Sequence, residues 1–265
     1  MNEENMKIGM IDQSIFAMSK TKEYPSLVKQ KMSRALSFAL LLSILLTMIT
    51  YIVPMIGYQY SLGGLENFFT ERIPTFSIEK GEMTMDGTLD IQLAGFQLKA
   101  DSQKERYTKE DVDSDLIGQV LISKSNLLFK DLGQVFEIQF VDIPLATINN
   151  QSLVGLIPYI HGIEIGMFFV LVLATFFRYL VGAVGYALVG MTFTSMQQIP
   201  LTFSELFKIG IYCKVFSALA SAINETLGYP IPFEYWYSIG MIISLVYLTR
   251  GIAAHRKNEP SKGSM

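Results

Sequence analysis

Residues 35–57, ALSFALLLSILLTMITYIVPMIG, contain no charged side chain. About 20 apolar residues in helical form cross the ~30 Å hydrocarbon core of a bilayer, so this stretch limits the possible folds more than any other. Lys29, Lys31 and Arg34 stand just before it, and Tyr51, Tyr58 and Tyr60 gather at its far end. Basic residues on the inner flank and tyrosines at the opposite interface place the N-terminal side of such a helix in the cytoplasm. A signal peptide also sets a basic segment before an apolar run. Its apolar core is shorter, however, and a small-x-small cleavage site is missing near residues 49–57. The stretch reads as an uncleaved anchor.

Three more apolar runs follow, at 163–193, 206–227 and 235–254. With half of the residues hydrophobic and a mean hydropathy of +0.34, the chain is too apolar for an ordinary soluble protein of its length. Between the first two runs lies a polar block of about 100 residues, the size of one small folded domain. It holds eight basic and fifteen acidic residues, which disfavours nucleic acid as a partner on that side. The single cysteine, Cys213, falls in an apolar run, so the block carries no disulfide. Basic residues concentrate instead in the two tails: Lys7, Lys20, Lys22, Lys29, Lys31 and Arg34 at one end, Arg250, Arg256, Lys257 and Lys262 at the other. That bias suits an anionic inner leaflet and puts both termini in the cytoplasm. The expected class is an α+β membrane protein: a four-helix transmembrane bundle with a small extracytoplasmic antiparallel β domain inserted between spans 1 and 2.

In chain order, residues 1–34 form a cytoplasmic arm in which Met10, Ile11, Ile15 and Met18 recur at helical spacing. A short amphipathic helix there could lie on the membrane, interrupted at Tyr24-Pro25-Ser26. The first span is placed at 35–57 and the outer domain at 58–158. In that domain six runs of strand type alternate with turns such as Glu79-Lys80-Gly81-Glu82 and Asp86-Gly87, while 100–115 reads as a charged loop or short helix. The remaining spans fall within 159–254, at about 163–191, 207–227 and 235–254, before a cytoplasmic tail at 255–265. The second run is too long to stand upright in a bilayer and should tilt or continue past the inner surface. Breaking it near residues 182–185 would give five spans and put the basic C-terminus outside, against the charge bias. Thr202 and Glu205 have capping-box spacing, with Leu201 and Leu206 as a hydrophobic staple. Ser217, Ala218, Ser221 and Ala222 give the third span a small-residue face, and Gly162 and Gly166 offer a similar approach on the second.

Arg178 and Lys214 are the charges expected at membrane depth, where an ionised side chain is costly and is a candidate for function. The pair could bind an anionic lipid phosphate or an acidic partner group; the plainer alternative is that both snorkel to the inner headgroups. Asp111, Asp113 and Asp115 imitate the opening of a calcium loop, but Leu116 and Ile122 stand where glycine and glutamate are required, so a solvated loop is expected. His161 and His255 fall on opposite sides of the membrane and cannot share a metal. The motifs weighed for nucleophilic, phosphate-binding and zinc chemistry do not occur, so no catalytic residue, metal or cofactor is expected.

Four stretches carry a family likeness: SIFAMSKTKEY leading into RALSFALLLSILL, then IPTFSIEKGEMTM, VLISKSNLLFKDLGQVFEIQF and LTFSELFKIGIYCKVF. Together they resemble a family of bacterial integral membrane proteins built on a domain of unknown function, some members of which are labelled maltodextrin-utilisation protein. The family is also distantly similar to Yip-type multispanning proteins. Where it tends to carry an alanine and a Thr-Pro pair, this chain has Cys213, Lys214, Val215 and Phe216, without the proline that would break a helix. The resemblance implies a non-enzymatic protein of the cell membrane, linked to maltodextrin uptake or its regulation. Its partners would be the lipid bilayer and a sugar transporter or regulatory membrane protein. It transfers no site residue and leaves the oligomeric state open. A small carrier or channel with an anion site at Arg178 and Lys214 is the alternative.

Overall fold

The computed structural model describes residues 8–93, 95–131, 133–143 and 147–258. Lys7, Lys262 and the tail from 259 onward lie outside the described residues. The helices are α1 (Met10–Ser19), α2 (Tyr24–Val28), α3 (Met32–Thr47), α4 (Val53–Leu62), α5 (Leu65–Asn67), α6 (Asn150–Gln197), α7 (Phe203–Cys213), α8 (Val215–Thr226) and α9 (Phe233–Asn258). Two compact units result, Met1–Ile56 with Ile165–Met265, and Gly57–Glu164.

Among the described residues, four helices are long and apolar enough to cross a membrane: Met32–Leu62, Asn150–Gln197, Phe203–Thr226 and Phe233–His255. The first starts at Met32 and continues without a break from α3 to α4 through a π-turn at Met48–Ile52. A widened turn releases carbonyls from the i−4 ladder, and the Thr226 hydroxyl donates to the Ile49 carbonyl at 2.9 Å. The second is a single 48-residue helix that runs unbroken past Gly182 and Gly185. The expected capping box opens α7: Thr202 Oγ1 accepts from the Glu205 N–H at 3.3 Å, and Glu205 Oε2 accepts from the Thr202 N–H at 2.8 Å. Leu201 and Leu206 belong to one apolar core. The small-residue face of α8 meets α9, with Ser217 Oγ and Ser244 Oγ 2.7 Å apart. Gly162 and Gly166, by contrast, face open space among the described residues and hold no helix close.

The arm forms the expected helix, and its inner face is folded into the core: Gln13 and Ala17 of α1 and Tyr24, Leu27 and Val28 of α2 are all buried. Pro25 sits in the first turn of α2, where its missing N–H costs nothing, so it opens a helix as well as ending the preceding run.

In the second unit, β1 (Phe76–Glu79) and β2 (Glu82–Met85) form a hairpin, and β8 (Ile148–Asn149) pairs with the other edge of β1. Lys80 and Gly81 both have positive φ, the signature of a two-residue I′ turn. A Cβ at Gly81 would come within 3.1–3.3 Å of Val141. The second sheet runs in order β3 (Thr88–Leu93), β4 (Phe96–Asp101), β5 (Gly118–Ile122), β6 (Asn126–Asp131) and β7 (Gln134–Gln139). It corrects the expectation of an antiparallel domain, because β4 and β5 pair in parallel. Parallel neighbours need a crossover, which residues 102–117 supply. Two strands beyond the six expected, β4 and β8, are therefore present. The apolar face of this sheet, with Leu89, Leu98, Ala100, Ile122 and Leu127, packs with Met83, Phe140 and Ile73. On the opposite face a smaller cluster of Tyr107, Leu121 and Leu128 lies with Val112 from the crossover.

Candidate functional site

Polar chemistry gathers in both units. In the first, α7 and α8 are separated at Lys214, whose backbone stays near helical values, so the chain turns there without a proline. Lys214 Nζ donates to the Tyr179 carbonyl at 2.8 Å and lies 4.3 Å from the centre of the Tyr179 ring. The Tyr179 hydroxyl in turn donates to the Ile211 carbonyl, one of those freed where α7 ends. Lysine and tyrosine thus satisfy each other's helices across the α6–α7 crossing, the arrangement required where water is scarce. Arg178, the residue before Tyr179, is exposed. The two expected site residues are neighbours, but Lys214 is engaged with α6 and has not turned back along its own helix.

Lys208, which the sequence reading passed over, is the more enclosed cation at 9% exposure. Its Nζ donates to the carbonyls of Val28 at 2.8 Å and Gln30 at 2.6 Å, capping the C-terminal end of α2. Two tyrosines complete the attachment of the arm: the Tyr212 hydroxyl donates to Gln13 Oε1 at 3.0 Å, and the Tyr247 hydroxyl to the Met18 carbonyl at 2.6 Å. The available signal was a charge inside an otherwise apolar helix with a tyrosine one turn later; three residues after Glu205 it reads as a surface pair.

In the second unit, the polar face of β4 and β5 and the crossover enclose a cleft of about 330 Å³, lined among others by Gln97, Lys99, Asp101, Lys104, Asp111 and Gln119. Its walls are held from behind. Asn126, fully buried, donates to the Tyr107 carbonyl at 2.9 Å and to Glu137 Oε1 at 2.8 Å, and accepts from the Tyr107 N–H at 3.0 Å. Gln119 donates to Gln97 Oε1 at 2.7 Å and accepts from the Asp113 N–H at 3.0 Å. The calcium-like loop is organised by a lysine: Lys130 Nζ donates to the carbonyls of Asp113, Ser114 and Leu116. His161 Nδ1 lies 2.9 Å from Glu164 Oε2.

The hydrogen bond from Lys104, then that from the Thr108 N–H, holds the Asp111 carboxyl below the usual carboxylate range. Asn126, then Arg106, does the same for Glu137. Folding therefore favours the ionised forms. Their stabilisation is present above the ordinary carboxylate pKa and is lost as pH falls through the lowered folded values. The doubly substituted Asp111→Asn, Glu137→Gln protein should lose less thermal stability than wild type between neutral and acid pH. Identical acid limbs in the two melting profiles would show that neither carboxylate is linked to folding.

No curated protein and no solved structure matches this chain. The model of the family described as "Protein of unknown function (DUF1189)" matches residues 12–252, nearly the whole chain, and the protein belongs to that family.

Proposed function

We propose that the chain is a non-catalytic accessory or sensory protein of the cell membrane. Four spans would leave both termini in the cytoplasm and the β unit outside. There the cleft over β4 and β5 would meet a ligand or partner, and the spans would pass that contact to a sugar transporter or a regulatory membrane protein. The observation that carries this reading is the combination of four membrane-length apolar helices with a separately folded β unit that opens a polar cleft. The basic tails support the orientation, and the link to maltodextrin uptake or its regulation rests on the family resemblance alone. Reporter tags fused at Gln103 and at the C-terminus are expected on opposite faces of the membrane; the same face for both rejects the topology. Deleting the gene should alter maltodextrin uptake or its induction, and unchanged uptake and growth reject the sugar link.

A small carrier or channel remains the second reading, favoured by the exposed Arg178 one residue from the carbonyl that Lys214 binds. Arg178→Gln with Lys214→Gln should then abolish anion flux into proteoliposomes at normal expression. Undiminished flux removes this reading.

A further inference from the structure

Among the described residues, the docked arm leaves the Ile11–Ile15 face of α1 largely uncovered. Gln13 and Ala17, one turn apart, are buried against the core, whereas Ile11 and Ile15, also one turn apart, are 78% and 40% exposed. On this helix a polar side chain, Gln13, faces inward while two isoleucines face outward with Asp12 and Ser19 along one edge, so its outer face pairs an apolar stripe with a polar margin.

Its depth is fixed within its own unit. Tyr212, the partner of Gln13, lies about 13 Å along α7 from Phe203, counting 1.5 Å per residue. Tyr247, which holds the Met18 carbonyl, lies about 12 Å along α9 from His255. The two helix ends are on the same side, since α8 and α9 are joined by a short turn and α9 returns along α7. An interfacial helix buries its apolar face roughly 5–10 Å into the boundary between headgroups and acyl chains, and helices of about 35 Å overrun the hydrocarbon by several ångströms. With about half of that excess on this side, the anchors of α1 lie about 10 Å inside the hydrocarbon boundary, at the deep end of that range. Phe216, stacked on the Tyr247 ring, and Val246, next to Tyr247 in sequence, are likewise exposed and continue the apolar band.

Charge agrees. Beyond α1 the chain presents exposed Lys20, Lys22, Lys29 and Lys31, with Glu23 as the acidic residue among them. Asp12 lies in the first turn of α1, where the helix N-terminus offsets a carboxylate.

We propose that α1 is an interfacial helix, its Ile11 and Ile15 held in the acyl-chain boundary of a phospholipid leaflet, with the lysines that follow on anionic headgroups. This rests on the reading of the chain as a membrane protein, and not on the ligand or the sugar link.

The test uses the full chain in vesicles of phosphatidylglycerol and phosphatidylcholine, in a Trp236→Phe background, with a single reporter tryptophan. Ile15→Trp should be quenched by lipids brominated on the acyl chains as strongly as Leu41→Trp on α3, while aqueous acrylamide quenches only Gln103→Trp. Acrylamide quenching of Ile15→Trp, with Leu41→Trp still quenched by brominated lipid, overturns the proposal and spares the membrane reading. If Leu41→Trp also escapes the brominated lipid, both fall. Exchanging phosphatidylglycerol for phosphatidylcholine should lower the melting temperature of wild type but not of the variant with all four lysines changed to glutamine. Equal shifts overturn the headgroup assignment.

Discussion

Replacing Gly210 by alanine is expected to drive the α6–α7 crossing apart. A Cβ at this position would press on the carbonyl oxygen of Ala183, a backbone atom that cannot turn aside as a side chain can. Alanine is the better helix former by about 1 kcal/mol, so propensity alone predicts a gain. Sterics decides the sign. Relieving the overlap costs about 1–3 kcal/mol as overpacking, and it also pulls on the Tyr179 to Ile211 and Lys214 to Tyr179 hydrogen bonds that flank it, each worth about 1 kcal/mol. A net loss of roughly 2–4 kcal/mol follows. Gly185→Ala is the internal control, because nothing among the described residues lies within 4 Å of its Cβ position. In detergent, the Gly210→Ala protein should melt well below wild type while Gly185→Ala matches or exceeds it. Equal melting temperatures for the two would mean that the crossing does not depend on this glycine.

What could be read from the sequence was what local rules decide. The first apolar stretch, the Thr202–Glu205 box and the Lys80-Gly81 turn each depend on neighbours within a few residues, and the structure has all three. The arm was different. Tyr212 meets Gln13 across 199 residues, and Lys208 meets Val28 across 180; nothing local to either end announces such a pairing. For the same reason Lys208 was missed, and the Tyr179 carbonyl was not foreseen as a partner of Lys214. The parallel β4–β5 pair was hidden because Lys99 and Asp101 make the end of β4 look like a charged loop, although they only alternate with Leu98 and Ala100 on a half-covered strand. The cleft could not be seen either, since it exists only where the crossover returns over the sheet.

Lys130 supports the second expected result of comparable size, the release of that crossover in Lys130→Met. Methionine keeps the length and apolar stem of lysine but donates no hydrogen bond. The carbonyls of Asp113, Ser114 and Leu116 would lose the ammonium that now lies 2.5, 3.1 and 2.7 Å from them. Hydrogen bonds to a charged donor are worth about 1.5–3 kcal/mol each, but this loop can lift into water and recover part of that, so a net loss of about 2–4 kcal/mol is expected. Lifting also uncovers Leu116, Tyr107 and Leu121, which are buried now. The consequence should be local. Amide protection should vanish over 111–117, including the Asp113 N–H that bonds Gln119 and the Ile117 N–H that bonds Gly95, while the β1–β2 hairpin keeps its protection. Lys124→Met removes the same charge from the same unit, but its ion pairs with Glu82 and Glu105 are 3.6 Å long and partly exposed, worth no more than about 1 kcal/mol. Hydrogen exchange on the two variants separates the cases. If Lys130→Met exchanges like Lys124→Met, the ammonium is not what holds the crossover over the cleft.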